Sequence, residues 1–141
     1  MMAQPSVTIL LVDDEGGFAS ALATLLRRDG HKVDTAENGQ RALRQMETQQ
    51  YDLILCDLRL PELSGNTLYD VLWQQYPHLC HRVIFLTGDT LNAESLAFLE
   101  ACGQPWLPKP CSAAQVREVV QQLLAKTDGH PRPGPDALQA S

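Results

Sequence analysis

Short apolar segments alternate with longer amphipathic segments along most of this chain. Thr8–Val12, Leu53–Cys56 and Arg82–Leu86 are nearly continuous apolar runs of strand length. A strand that is apolar on both faces is typical of a parallel sheet covered by helices. Lys32–Ala36 is short and alternates, which predicts a more exposed strand, and Trp106–Pro108 predicts a very short fifth strand.

Apolar residues recur at helical spacing after each of these runs. Asn38 predicts the N-cap of the second helix, and Ser112 with Gln115 forms a capping-box pattern before the fifth. Gly30 and Gly103 predict helix ends. The apolar positions of the five helices are Phe18, Leu22, Leu25 and Leu26; Ala42, Leu43 and Met46; Leu68, Val71 and Leu72; Leu96, Phe98 and Leu99; and Val116, Val119, Val120, Leu123 and Leu124. Alternating strands and helices predict an α/β fold, a (βα)5 doubly wound parallel five-stranded sheet with helices on both faces.

The length and composition are those of one globular domain. The chain has 141 residues, of which 44% are hydrophobic, enough to bury most of its apolar surface. We expect an N-terminal tail at 1–6 and a single domain over 7–126. Residues 127–141 are expected to form a disordered tail, because the Pro/Gly-rich segment Gly129–Pro135 cannot enter a helix or a sheet interior.

Charge, hydropathy and cysteine spacing exclude several classes of function. The net charge of −6 without a long basic run argues against direct binding of nucleic acid. No segment approaches the ~20 apolar residues that span a bilayer, and the N-terminus lacks a secretory signal, so we expect no membrane contact. The cysteines form no C-x-x-C pair and predict neither a zinc site nor a disulfide; they are Cys56, Cys80, Cys102 and Cys111. Reduced thiols are typical of a cytoplasmic protein.

Polar residues follow four of the five predicted strands at the point where each strand ends. Asp13 and Asp14 follow the first strand, Asp57 the third, Thr87 the fourth and Lys109 the fifth. The carboxyl ends of parallel strands meet at one edge of the sheet, where ligands of such folds bind. We therefore expect three carboxylates, one hydroxyl and one ammonium to converge there.

This set of groups predicts metal-assisted phosphoryl chemistry. Three close carboxylates repel one another unless a cation lies among them, and Mg²⁺ prefers such oxygen ligands. Asp57 can act as a nucleophile, since an aspartate can form an aspartyl phosphate. Phosphoryl transfer depends on charge stabilisation, which the metal, Lys109 and Thr87 can supply, and Gly88 leaves room beside Thr87.

Taken in order, these residues resemble the receiver domain of two-component response regulators, the chemotaxis-regulator type. The resemblance covers roughly Val7 to Lys126, and its features are Leu11–Glu15, Asp57 with Pro61 and Gly65 behind it, Thr87-Gly88, and Lys109-Pro110. It implies a flavodoxin-like three-layer sandwich with strand order 2-1-3-4-5. The function implied is that of a phosphorelay receiver in a two-component regulatory system.

The resemblance also implies a role for each acidic residue. Asp57 would accept a phosphoryl group from the phosphohistidine of a histidine kinase or phosphotransfer domain, in a Mg²⁺-dependent reaction. Asp14, Asp57 and the backbone carbonyl of Arg59 would ligate Mg²⁺, and Asp13 would reach it mainly through water. The chain would be no enzyme beyond its own phosphorylation and autodephosphorylation.

The remaining implied roles concern the switch and its output. Thr87 would hydrogen-bond the phosphoryl group, Lys109 would pair with its charge, and the Lys109–Pro110 bond would be cis. The fourth helix, fifth strand and fifth helix would then present a changed surface to an unknown output protein. Trp106 departs from the family, which has Tyr or Phe three residues before the lysine, and its larger indole weakens the expected coupling.

Three further interpretations rest on single features. Phe98–Pro110 looks more like the receivers of hybrid sensor histidine kinases than like those of DNA-binding regulators. Arg59 and Asp89, each two residues beyond a site residue, are expected to pair and to shield the aspartyl phosphate from water. The helical stripe of Tyr69, Trp73 and Tyr76 predicts residues that flank the core, the alternative being a partner or homodimer surface.

Three other functions compete with this interpretation. A receiver-like scaffold that works without phosphate is the first. A Mg²⁺-dependent phosphatase of the haloacid dehalogenase type is less favoured, because Leu58-Arg59-Leu60 follows Asp57 and the second aspartate is missing. A nucleotide or flavin binder is disfavoured because no glycine-rich loop follows the first strand, where Asp13 and Asp14 would repel phosphate.

Overall fold

Five parallel strands form the centre of the structure, a computed structural model that describes residues 6–60, 63–87, 93–109 and 111–127. The strands are β1 (Thr8–Val12), β2 (Lys32–Ala36), β3 (Leu53–Asp57), β4 (Val83–Thr87) and β5 (Trp106–Pro108). They pair in the order β2-β1-β3-β4-β5, all in parallel. The helices are α1 (Gly16–Arg28), α2 (Gly39–Thr48), α3 (Gly65–Gln75), α4 (Ala93–Cys102) and α5 (Ala113–Thr127), with a 3₁₀ turn at Pro77–Leu79. The predicted fold class and strand order are confirmed.

Alternate residues of the central strands enter two separate cores, one on each face of the sheet. In β3, Ile54 and Cys56 pack on one face and Leu53 and Leu55 on the other, and all four are at most 1% exposed. Residues of α2, α3 and α4 cover the first face, whereas α1 and α5 cover the second. Burial on both faces explains why β1, β3 and β4 are continuously apolar, and it gives the three-layer arrangement.

Local signals in the sequence set several helix ends. The Asn38 side chain accepts a hydrogen bond from the Arg41 N–H at 2.8 Å, which caps α2. Ser112 and Gln115 form the predicted reciprocal box, with 2.8 Å and 3.1 Å hydrogen bonds. Gly103 follows α4 with φ +70°, a conformation that side chains other than glycine rarely adopt.

Two boundaries differ from the expectation by one residue. β4 begins at Val83 rather than Arg82, because the Arg82 N–H closes the preceding turn on the carbonyl of Leu79. Helix α5 includes Thr127, which we had expected in the tail. The tails at 1–5 and 128–141 lie outside the described residues, and the prediction for the Pro/Gly-rich segment stays a prediction. No helix in the described part of the chain is long and apolar enough to cross a membrane.

The aromatic stripe of α3 is divided between core and surface. Tyr69 is buried, and its hydroxyl donates to the carbonyl of Cys80 at 2.9 Å. Tyr76 is partly buried against the same core. Trp73 is 52% exposed and stacks edge-on against Tyr69 and His81. The core-flanking interpretation therefore holds for Tyr69 and Tyr76, and only Trp73 is largely open to a partner.

Candidate functional site at the carboxyl edge of the sheet

The ends of β1 and β3 bring three carboxylates together. Val12 of β1 lies beside Cys56 of β3 in the parallel register, so the next residues, Asp13 and Asp57, lie side by side where the two strands end. Both are buried, at 3% and 5% exposure, and Asp14 is exposed. One oxygen from each of the three aspartates lies within 4.8 Å of the others. The predicted convergence of the three carboxylates is confirmed.

Backbone groups hold the Asp57 carboxylate in place. Its Oδ1 accepts a hydrogen bond from the Arg59 N–H at 2.9 Å, and the Leu58 N–H donates to the carbonyl of Leu86 at 2.8 Å. Gly65 lies against this loop, because a Cβ there would be 2.9 Å from Leu58 Cα and 3.0 Å from the Asp57 carbonyl oxygen. The start of α3 can approach Asp57 this closely only with glycine at position 65.

The Asp13 carboxylate is held in a similar way. Its Oδ1 accepts a hydrogen bond from the Glu15 N–H at 2.8 Å, and its own N–H donates to the carbonyl of Ala36 at 3.0 Å. The loop after β1 is therefore tied both to itself and to the end of β2, which leaves Asp13 Oδ2 directed toward the site.

Lys109 lies at the centre of the charged groups. Its Nζ is 2.8 Å from Asp13 Oδ2, 3.1 Å from Asp57 Oδ2 and 2.5 Å from Glu15 Oε1. Its backbone N–H donates to the carbonyl of Thr87 at 2.7 Å, which places the side chain over the ends of the central strands. The ring of Phe18 lies 5.2 Å from Nζ, within reach of a cation–π contact.

Burial and pairing act in opposite directions on these groups. Burial raises the pKa of Asp57, and the Arg59 N–H and Lys109 offset this only in part, so its pKa stays above the ordinary value. Burial lowers the pKa of Lys109, but the bonds to Asp13, Glu15 and Asp57 outweigh it and the net pKa is raised. Lys109 is thus held as an ammonium.

Thr87 brings a hydroxyl to the same edge. It is the last residue of β4 and is 1% exposed. Within the described ranges, its Oγ1 is buried and has no hydrogen-bond partner. A buried hydroxyl without a partner is costly, and it is a donor available to a ligand oxygen.

The donor set suits a hard divalent cation. Three carboxylates offer oxygen ligands within 4.8 Å of one another, and one of them is exposed. A cation among them would supply the compensation that Asp57 lacks. The residues present therefore fit Mg²⁺, which binds through one or two carboxylates, water and phosphate oxygens.

Of the predicted site residues, Asp13, Asp14, Asp57 and Lys109 come together at this edge and Thr87 ends β4, whereas two further residues were not predicted. Glu15 contacts Lys109 directly, and Phe18 packs near its ammonium. Glu15 was visible as the third member of the acidic run after β1, but Phe18 was assigned only to the core face of α1. The predictions for Pro61, Gly88, Asp89 and Pro110, including the Arg59–Asp89 pair and the cis bond, lie outside the described residues.

Trp106 is partly buried on the first core face. It lies beside Phe85 in the β4–β5 register and packs against that core. A groove of about 900 Å³ runs past it, lined by Gly103, Gln104, Pro105, Trp106, Val119, Gln122, Leu123 and Ala125. The groove thus joins the segment before β5 to α5.

Comparisons with known proteins agree with this architecture. The family model of the response regulator receiver domain matches residues 9–121. The alkaline phosphatase synthesis transcriptional regulatory protein PhoP of Bacillus subtilis is 33% identical over 120 residues, which cover 85% of this chain and 49% of that protein. The chain spans about half the length of such curated relatives.

Solved structures show the same fold. The receiver domain of a signal transduction histidine kinase from Syntrophus aciditrophicus has a TM-score of 0.76 and 27% identity, with 92% of this chain and 98% of that chain covered. A CheY-like receiver domain protein from Methanospirillum hungatei has a TM-score of 0.78 at 22% identity, with 88% and 98% covered. Matches thus include proteins named as transcriptional regulators and a domain of a histidine kinase.

Proposed function

Since the chain belongs to the response regulator receiver domain family, we propose that it is a phosphorylation switch with Asp57 as the phosphoryl acceptor. The donor is the phosphohistidine of a histidine kinase or phosphotransfer domain. The observation that carries this proposal is the cluster of Asp13, Asp14 and Asp57, with ligand oxygens within 4.8 Å, directly beside the Lys109 ammonium.

Asp57 is the nucleophile in this proposal. A carboxylate oxygen attacks phosphorus, an O–P bond forms, and the N–P bond to the donor imidazole breaks; the imidazole takes up a proton as it leaves. The Arg59 N–H holds Oδ1 during the attack, at 2.9 Å in the structure. Water later attacks phosphorus, the O–P bond to Asp57 breaks, inorganic phosphate leaves and the carboxylate is restored.

The neighbouring groups stabilise the transferred phosphoryl group. Phosphoryl transfer is catalysed mainly by positioning and charge stabilisation. Lys109 pairs with the phosphoryl charge, and Thr87 donates its buried hydroxyl to a phosphoryl oxygen. Asp13, Asp14, Asp57 and the backbone carbonyl of Arg59 are the groups that would hold Mg²⁺. Bound there, Mg²⁺ supplies positive charge that offsets the carboxylates and the phosphoryl oxygens.

The output is a changed protein-binding surface. Thr87 is joined to Lys109 by a backbone hydrogen bond of 2.7 Å, so a movement of Thr87 reaches β5 directly. The groove beside Trp106, between the end of α4 and α5, is the surface placed to respond. The partner is an output protein or domain, and a DNA-binding output is supported by the relatives named as transcriptional regulators.

The test is phosphorylation by a small-molecule donor. The chain is incubated with acetyl phosphate and Mg²⁺, and its intact mass is measured. We expect one phosphate adduct in the wild type and in an Asp70→Asn control at an exposed site on α3, and none with Asp57→Asn or without Mg²⁺. An adduct that survives Asp57→Asn would refute the assignment.

The alternatives give other results in the same assay. A phosphate-independent scaffold would take up no phosphate in any variant. A phosphatase would release phosphate from phosphomonoesters over many turnovers; its motif is lacking, because Arg59 stands where a second aspartate is needed.

A further inference from the structure

Lys109 Nζ donates hydrogen bonds to Glu15 and Asp57 and forms a close ion pair with Asp13. A lysine ammonium carries three N–H donors. Three carboxylate oxygens lie within 3.1 Å of Nζ, from Asp13, Glu15 and Asp57. Because three carboxylate oxygens already lie this close to Nζ, a phosphoryl oxygen on Asp57 competes with them for the Lys109 ammonium.

The three contacts differ in how easily they break. The side chain of Asp13 is 0% exposed and that of Asp57 is 7% exposed, whereas that of Glu15 is 62% exposed. A buried carboxylate left without its partner is costly. An exposed carboxylate regains water and loses little. Glu15 is thus the partner that can leave at least cost.

We propose that Glu15 is a positioning residue that holds Lys109 in the unphosphorylated chain and releases it to the phosphoryl group. This inference rests on the proposed function, with Asp57 as the acceptor. Glu15 reaches the chemistry through Lys109. Its contact slows the reaction, because the Glu15 carboxylate competes with the phosphoryl oxygens for the Lys109 ammonium. Its backbone N–H, which holds Asp13, is unaffected by changes of the side chain.

The first test is the kinetics of phosphorylation by acetyl phosphate at saturating Mg²⁺. Exposed ion pairs are weak, so Glu15→Gln is expected to raise the maximal rate constant about two- to fivefold and to leave the donor concentration at half-saturation unchanged. Glu37→Gln is the matched control: it removes the same charge from an exposed residue just after β2, and Glu37 is not among the carboxylates on Lys109.

The maximal rate constant and the donor concentration at half-saturation distinguish release of Lys109 from a general effect of the lost negative charge. Simple repulsion of an anionic donor would alter half-saturation, and Glu37→Gln would share the effect. If Glu15→Gln leaves the maximal rate unchanged while the wild type is phosphorylated normally, the inference about Glu15 is overturned and the proposed function is not. A wild type without any phosphate adduct would instead refute the proposed function.

The second test needs neither metal nor phosphate. Lys109 is one of three lysines in the sequence, so the ¹⁵Nζ spectrum of lysine-labelled protein is simple. We expect Glu15→Gln to shift the Lys109 ammonium signal in the metal-free chain, and Glu37→Gln to leave it in place. A Lys109 signal that does not respond to Glu15→Gln would show that the contact is absent in solution, and it would overturn the inference.

Discussion

Replacing Lys109 with methionine tests how much of the stability of this fold depends on the charge balance at the site. Methionine keeps a similar apolar stem but removes the ammonium that contacts Asp13, Glu15 and Asp57. Two of these carboxylates then remain buried without a cation. We expect Lys109→Met to destabilise the metal-free chain markedly.

The size of the effect follows from the burial of the partners. Removing one member of a buried ion pair costs about 3–5 kcal/mol. We take the lower end, about 3 kcal/mol, because the Lys109 side chain is 11% exposed and Glu15 regains water. Mg²⁺ should restore part of the loss, since it brings positive charge to the same carboxylates; at 100 times its Kd a ligand contributes about 2.7 kcal/mol.

Urea denaturation in EDTA and then in Mg²⁺ measures both quantities. Lys32→Met is the control, because the exposed Lys32 ammonium contacts only Gln49 among the described residues, at 3.3 Å, and a change there should stay within about 0.5 kcal/mol. In an Asp57→Asn background, Lys109→Met should lower the free energy of unfolding by less, since one buried charge is already gone. A loss below about 0.5 kcal/mol in EDTA, or a loss of equal size in both backgrounds, would refute the reasoning.

Two further predictions concern residues away from the charged cluster. Burial lowers the pKa of His31 below its usual 6.5, and a backbone N–H donates to its Nδ1 at 3.2 Å. The neutral imidazole therefore stabilises the fold fully above about pH 6.5, and this contribution is lost as the pH falls toward the folded pKa. Urea midpoints should decline more steeply below about pH 6.5 in the wild type than in His31→Gln; parallel curves would contradict this. Gly65→Ala forces a Cβ to 2.9 Å from Leu58 Cα and should cost about 1–3 kcal/mol in urea, with slower phosphorylation. Gly17→Ala, where a Cβ meets nothing within 4 Å, should be neutral or stabilising.

Much of the fold was predictable because burial on both faces leaves a direct mark on the sequence. Leu53–Cys56 could be recognised as a central strand, since only a strand covered on both sides is apolar throughout. The caps at Asn38 and Ser112 were predictable for a related reason, as their side chains bond only to residues three positions away. The order of the strands came from the resemblance to a family, because strand pairing depends on contacts distant in sequence.

The sequence predicted which residues form the site, but it did not predict which of them contact one another. Polar residues at strand ends identified Asp13, Asp57 and Lys109, since the topology alone brings such ends together. The position of Glu15 against Lys109 could not be foreseen, because 94 residues separate the two and the contact depends on the path of the loop after β1. The role of Phe18 was missed for the same reason.

The sequence by itself determined the (βα)5 pattern and the group of acidic and basic residues that this pattern carries to one edge of the sheet. Both follow from the spacing of hydrophobic residues and from the order of the segments along the chain, which can be read directly from the sequence. Only the tertiary structure decided that three carboxylate oxygens surround the Lys109 ammonium, and that Glu15 is the partner most easily released. Those facts depend on distances and burial, which arise when loops distant in the chain pack against one another.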